Sequence, residues 1–288
     1  VTVTKEKVVL ESPAKINLGL EVLGKRSDGF HSIRSVLIPI TLHDTVTLTP
    51  GGRKLAFHAG QGAPRGESNL AWRAVKLLEG ATGVHHGLDL RIVKRIPIAA
   101  GLGGGSSNAA TVLTGLNDLW ELGLPRARLE KLGLELGSDV PFFVRGGACL
   151  IGGRGEELER LAHRGTVELV LVHPAVRVSS QWAYEHVAED PARAGGSTSM
   201  VKVALASGRV ELLAANLVND LEPAVAKAHP VVAEARRRLK SAGSLGVAMS
   251  GSGPTVFGVA ADADAADRIA AKVAGPKWKV TRARTAAT

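Results

Sequence analysis

Polar and apolar residues alternate over much of the first part of the chain. Val46 and Leu48 alternate with Thr45, Thr47 and Thr49, and Leu55 and Phe57 keep the same rhythm, so residues 1–60 are predicted to be strands. The spacing then changes. Residues 69–80, NLAWRAVKLLEG, predict a short helix ended by Gly80, and Leu88, Leu90 and Ile92 predict another strand. After the loop PIAAGLGGGSS at 97–107, Ala109, Val112, Leu113, Leu116, Leu119 and Trp120 recur at helical spacing, giving strand, glycine loop, helix. A second helix is predicted from about Arg126 to Leu136, closed by Gly137, after which GSDVPFFV starts a new element.

The strongly apolar run at 167–172 predicts a strand, and DPARAGGSTS at 190–199 a mobile loop. Helical segments follow over 209–242, interrupted at Pro223 and Pro230. Two strands flank the Gly-Ser-Gly at 251–253, and a helix near 264–273 and a strand near 277–283 close the chain. No internal repeat is visible. The pattern predicts an α+β protein of two halves, 1–165 and 166–288, divided near Gly165.

Composition narrows the class. The 288 residues are 45% apolar but only 3% aromatic, so aliphatic side chains fill the core and a base-stacking surface is disfavoured. Cys149 is the one cysteine, so no internal disulfide forms, and its apolar neighbours Phe142, Phe143 and Leu150 predict a small buried residue. The opening residues lack the apolar core of a signal peptide, and no apolar run is long enough for a bilayer, so a soluble, cytoplasmic protein is expected. The formal charge of +9 suits nucleic acid or an anionic small molecule. The basic residues are scattered, and the densest cluster, Arg236, Arg237, Arg238 and Lys240, reads as a solvated helix face. Phosphorylated ligands are therefore preferred over DNA or RNA.

The glycine loop carries the clearest chemistry. Phosphate oxygens need backbone N–H groups at close range, and glycine removes the side chains that obstruct them. The helix that follows offers N–H groups and a positive dipole end, and Ser106 and Ser107 add hydroxyls at its start. No Gly-Lys-Ser/Thr follows, so this is not a Walker A loop. Ser106 replaces the third glycine of a dinucleotide fingerprint. An ordinary flexible turn is the competing reading.

Three segments together resemble the GHMP kinases: SPAKINLGLEV at 12–22, PIAAGLGGGSSNAA at 97–110 and AMSGSGPTVFG at 248–258. RSDGFHSIRSV at 26–36 and GSDVPFFVRGGACLIGGRGE at 137–156 narrow the resemblance to the diphosphocytidyl-methylerythritol kinases, over roughly Ser12 to Gly258. The resemblance implies a two-domain GHMP kinase fold, with a ribosomal-protein-like N-terminal domain, a C-terminal ferredoxin-like α/β sandwich and the site in the cleft between them. It implies ATP as phosphoryl donor, with Mg2+ expected, and transfer to the 2-hydroxyl of the cytidylated methylerythritol.

By the same resemblance Asp139 is the candidate base and Lys15 its companion cation. Asp139 is equally well placed as a helix cap before VPFFV, and a lysine without the motif reads as surface. Asn17 shares the Lys15 strand face. Phe30, where the family usually has tyrosine, His31 and Tyr184 fall at positions that meet the cytidine end of the substrate. Asn69, Lys94, Pro97, Gly101, Leu102, Gly103, Gly104, Gly105, Ser106, Ser107 and Asn108 fall on the ATP side, Ser107 being a candidate magnesium ligand. Ser250, Gly251, Ser252 and Gly253 form the C-terminal glycine turn. No membrane, nucleic-acid or obligate protein partner is expected. The competing readings are a sibling kinase acting on mevalonate, homoserine or a sugar, an RNA-binding protein on the shared N-terminal fold, and a non-catalytic relative.

Overall fold

Two strands, β1 (Val8–Lys25) and β2 (His31–Pro50), are long enough to serve two hydrophobic cores in turn. The structure, a computed structural model, describes residues 7–52, 54–188 and 197–286. Along the chain follow β3 (Leu55–Ala59), α1 (Leu70–Thr82), β4 (Leu88–Val93), α2 (Gly104–Leu119), α3 (Arg126–Leu136), α4 (Val140–Arg145), β5 (Cys149–Gly152), β6 (Glu157–Arg160) and β7 (Glu168–Pro174). Then come α5 (Ser180–Glu185), α6 (Thr198–Ser207), α7 (Val210–Ala215), β8 (Val218–Asn219), α8 (Glu222–Ala228), α9 (Pro230–Ser241), β9 (Gly246–Met249), β10 (Val256–Ala260), α10 (Ala263–Val273) and β11 (Trp278–Arg284).

Two compact units result. The first holds residues 1–14, 43–98 and 103–146, and the second 15–42, 99–102 and 147–288. They interleave along the chain, whereas the expected halves 1–165 and 166–288 are consecutive. The reason is the length of β1 and β2, each of which starts in one unit and ends in the other.

In the first unit β4 pairs antiparallel with β2, Val46 opposite Ile92 and Leu48 opposite Leu90, and β3 adds to β4 in parallel. The apolar stripe Ala71, Ala74, Val75, Leu78 of α1 and the stripe Ala109, Val112, Leu113, Leu116 of α2 close the core with these strands. Both stripes follow the i, i+3, i+4, i+7 spacing of one helix face. Helix α1 runs past Gly80 and ends at Gly83, whose left-handed backbone caps it.

In the second unit β11, β7, β10 and β9 form an antiparallel sheet in that order. Val170, Val172, Val256 and Ala260 of this sheet pack with Val225 of α8, Val232, Ala235 and Leu239 of α9, and Ala266 and Ile269 of α10. Pro223 and Pro230 lie in the first turns of α8 and α9, so they begin helices rather than interrupt one. Of the loop expected at 190–199, residues 190–196 lie outside the described residues. Its end is helical: the Ser197 side chain accepts from the Met200 N–H and caps α6. Cys149 is fully buried in β5, as expected. Among the described residues no helix is long and apolar enough to cross a membrane.

Candidate active site

In the second unit β1 carries a lysine into the interior. Lys15 is 4% exposed, and its backbone N–H donates to the Leu102 carbonyl at 3.0 Å. Its Nζ donates to Asn17 Oδ1 at 2.6 Å, the residue two positions along the same strand face. Asn17 Nδ2 in turn donates to Ser35 Oγ at 2.8 Å, and Ser35 Oγ to the Gly19 carbonyl at 2.7 Å. Asn17 and Ser35 thereby link the ammonium to the Gly19 backbone.

The β9–β10 turn meets this lysine. Ser250 Oγ donates to the Gly101 carbonyl at 2.9 Å. A Cβ on Gly101 would stand 2.1 Å from the Ser250 carbonyl oxygen, and one on Gly251 would stand 3.0 Å from Lys15 Nζ and 3.2 Å from Asn17 Oδ1. Both glycines also have positive φ, +74° and +55°. Side chains are excluded here because backbone, turn and lysine already touch. Lys15, Asn17, Gly101, Leu102 and the turn Ser250–Gly253 thus form one cluster, while Ser252 Oγ pairs with Ser180 Oγ at 2.9 Å.

Two supports of the turn are not evident from sequence. Asn219 Nδ2 donates to the carbonyls of Met249 at 2.7 Å and Gly251 at 2.8 Å, and its Oδ1 accepts from the Leu221 N–H at 3.0 Å. His173 Nδ1 meets Thr255 Oγ1 at 3.0 Å, and the Thr255 carbonyl accepts from the Ser250 N–H at 2.9 Å. Burial and then the Lys279 charge push the His173 pKa down to about 4, so its imidazole is neutral near pH 7.

Also in the second unit, the His31 and Tyr184 rings stack with centroids 5.8 Å apart and planes at 23°. Phe30 is exposed, and the Arg154 guanidinium lies 5.0 Å from its ring centroid.

In the first unit the glycine segment turns into helix. Gly103 is the N-cap of α2, and Gly104, Gly105, Ser106 and Ser107 make its first turn. The first N–H groups of a helix have no intrahelical partner, so this end is a natural anion seat. Pro97 lies in the connection from β4. Ser107 and Asn108 point the other way: Ser107 is fully buried with Oγ 2.8 Å from Ser12 Oγ, and Asn108 Nδ2 donates to the same Ser12 Oγ at 2.8 Å. Lys94 Nζ pairs with Asp44 and donates to Asn108 Oδ1 at 3.2 Å. Asn69 is the N-cap of α1, its Oδ1 accepting from the Ala71 N–H at 2.9 Å and its Nδ2 donating to the Pro64 carbonyl at 2.9 Å.

Asp139 holds the N-cap position of α4, yet its side chain makes no capping hydrogen bond. Its φ of −83° and ψ of −11° are helical, whereas a capping side chain reaches its N–H from extended backbone. The hydroxyl of Ser107, the candidate magnesium ligand, is buried against Ser12. Among the described residues no group of three or more His, Cys, Asp or Glu could hold a metal.

A glycine segment leading into a helix N terminus lies in the first unit and a buried lysine beside a second glycine turn in the second, both within an α+β fold. Residues 69–147 match the GHMP kinases N terminal domain, and residues 201–277 the GHMP kinases C terminal domain. The 4-diphosphocytidyl-2-C-methyl-D-erythritol kinase of Pelotomaculum thermopropionicum is 46% identical over 90% of this chain and 91% of its own. A crystal structure of 4-(cytidine 5'-diphospho)-2C-methyl-D-erythritol kinase superposes with a TM-score of 0.86 at 35% identity, covering 98% of this chain and all of the other. Homoserine kinase from Cytophaga hutchinsonii shares the fold alone, with a TM-score of 0.78 at 18% identity over 99% of this chain and 96% of its own. The chain belongs to the GHMP kinases and, within them, to the 4-diphosphocytidyl-2-C-methyl-D-erythritol kinase family.

Proposed function

We propose that this chain transfers the γ-phosphate of ATP to the 2-hydroxyl of 4-diphosphocytidyl-2-C-methyl-D-erythritol, giving the 2-phosphate and ADP, in the non-mevalonate supply of isoprenoid precursors. The observation that carries the reading is the buried Lys15 ammonium, set by Asn17 and faced by Gly251 with no side chain between. A relative 46% identical over most of the chain carries the corresponding name.

In this reading the first turn of α2, with Gly103 to Ser106, seats the ATP phosphates through backbone N–H groups. Asp139 accepts the proton of the substrate hydroxyl as its oxygen bonds to the γ-phosphorus, and the bond to the bridging oxygen of ADP breaks. Lys15 offsets negative charge as the phosphoryl group passes between the two oxygens, and Asn17 fixes where that charge stands. The His31–Tyr184 pair and Phe30 provide flat surfaces suited to a cytosine ring.

The test is a coupled ADP-release assay with ATP, magnesium and the cytidylated substrate, run beside mevalonate, homoserine and galactose. Turnover with the cytidylated alcohol alone is expected. Turnover with another of these alcohols in its place would reject the assigned substrate.

A further inference from the structure

We propose that Asp44 is a positioning residue for the nucleotide: it holds the Lys94 ammonium at the first residue of α2. The proposal rests on reading the Gly101–Asn108 segment as the seat of the ATP phosphates.

Asp44 is fully buried, and each of its oxygens takes two donors. Oδ1 accepts the backbone N–H groups of Arg95 at 2.7 Å and Ile96 at 2.9 Å. Oδ2 accepts Lys94 Nζ and Asn108 Nδ2, the latter at 3.0 Å. One carboxylate thereby ties three consecutive residues leaving β4 to a residue in α2. A Cβ on Gly104 would stand 3.2 Å from Lys94 Nζ and 2.9 Å from Ile96 Cγ2. The ammonium is thus beside the residue that opens α2, where the helix presents its unpaired N–H groups.

A buried ion pair is a poor device for stability alone, since a well-packed apolar pair serves as well. A lysine stem is flexible, and fixing its charge before the ligand arrives removes an ordering cost from binding. Asp44 and Asn108, both anchored, hold Lys94 from two sides. The rival role for Asp44 is to neutralise Lys94 and so weaken its pull on phosphate. The two roles predict opposite signs, because removing a neutraliser tightens ATP binding and removing a positioner loosens it.

The experiment measures ATP affinity by calorimetry and KM for both substrates in the wild type, Asp44→Asn, Asp44→Glu, Lys94→Met, the Asp44→Asn/Lys94→Met double variant and Gly104→Val. Urea unfolding checks that each is folded. Asp44→Asn is expected to raise the ATP KM about tenfold or more, the range for a lost charge-assisted hydrogen bond, with the alcohol KM within about twofold. Asp44→Glu keeps the charge and moves it by one methylene, so it loses ATP affinity too, and it carries the test if Asp44→Asn does not fold. The double variant is expected to be no worse than Lys94→Met, because Asp44 acts through Lys94.

Unchanged or tighter ATP binding in both Asp44 variants, a parallel rise in both KM values, or losses that multiply in the double variant would each overturn the proposal. If Gly104→Val binds ATP like the wild type, the reading of the glycine segment falls and this proposal with it. If Gly104→Val is weak while the Asp44 variants bind normally, the Asp44 proposal alone falls.

Discussion

Replacing Gly251 with alanine separates the cost of a strained backbone from the cost of a misplaced lysine. Gly251 has a φ of +55°, and an alanine held there loses roughly 1–2 kcal/mol of stability. The new Cβ would stand 3.0 Å from Lys15 Nζ and 3.2 Å from Asn17 Oδ1, closer than ordinary contact, so one of them must yield. The lysine tip is the softer partner and moves by a few tenths of an ångström. Domains are usually stable by about 5–15 kcal/mol, so a loss of this size leaves nearly all of the protein folded. A reacting group misplaced by ~1 Å costs on the order of a hundredfold in rate, so the smaller shift predicts a fall in kcat of roughly tenfold. Turnover should therefore drop far more than the folded fraction does. The readouts are kcat by coupled ADP release and the urea midpoint of the same sample. Gly243→Ala is the control: its φ is +107° and a Cβ there meets nothing within 4 Å, so it should lose stability and keep kcat. Normal kcat in Gly251→Ala, with the stability loss present, would show that the turn does not set the position of Lys15.

Three further outcomes are expected. Asp139→Asn should lower turnover by roughly 10²–10⁴-fold while ATP binding is retained, measured by ADP release and calorimetry; wild-type turnover would remove Asp139 as the base. Asn219→Asp places a carboxylate oxygen against the Met249 and Gly251 carbonyls in place of a donor to both, and should cost about 2–4 kcal/mol in urea unfolding. His173 has a pKa of about 4 when folded against 6.5 in the unfolded chain, so between those values only the unfolded chain takes up its proton. Its contribution is complete above pH 6.5 and is lost at about 1.4 kcal/mol per unit as the pH drops, with about 3 kcal/mol gone by pH 4. His173→Gln should flatten this acid limb in urea titrations, and equal slopes in both proteins would refute it.

What the sequence disclosed depended on how local the cause was. The stripe of α2 and the close of α3 at Gly137 were legible because periodicity and a terminating glycine sit next to each other in the chain. Pro223 and Pro230 misled, since proline stops a helix that precedes it and favours one that follows, and only packing decides which. Gly80 misled similarly: it is tolerated inside α1 because Leu78 before it and the cap at Gly83 after it hold the last turn. Lys15 and Asn17 were legible as a pair because strand alternation puts them on one face. Asp44 carried no mark of that kind. It sits between His43 and Thr45 in a strand, where a carboxylate ordinarily reads as solvent-facing, and its donors come from residues 50, 51, 52 and 64 positions away. The β2–β4 ladder supplies them: once Thr45 lies opposite Val93, the next residues of β4's exit, Lys94 to Ile96, have a buried carboxylate within reach of two N–H groups and an ammonium. A charged residue that looks superfluous in an alternating strand is therefore best judged by what the paired strand does after it ends.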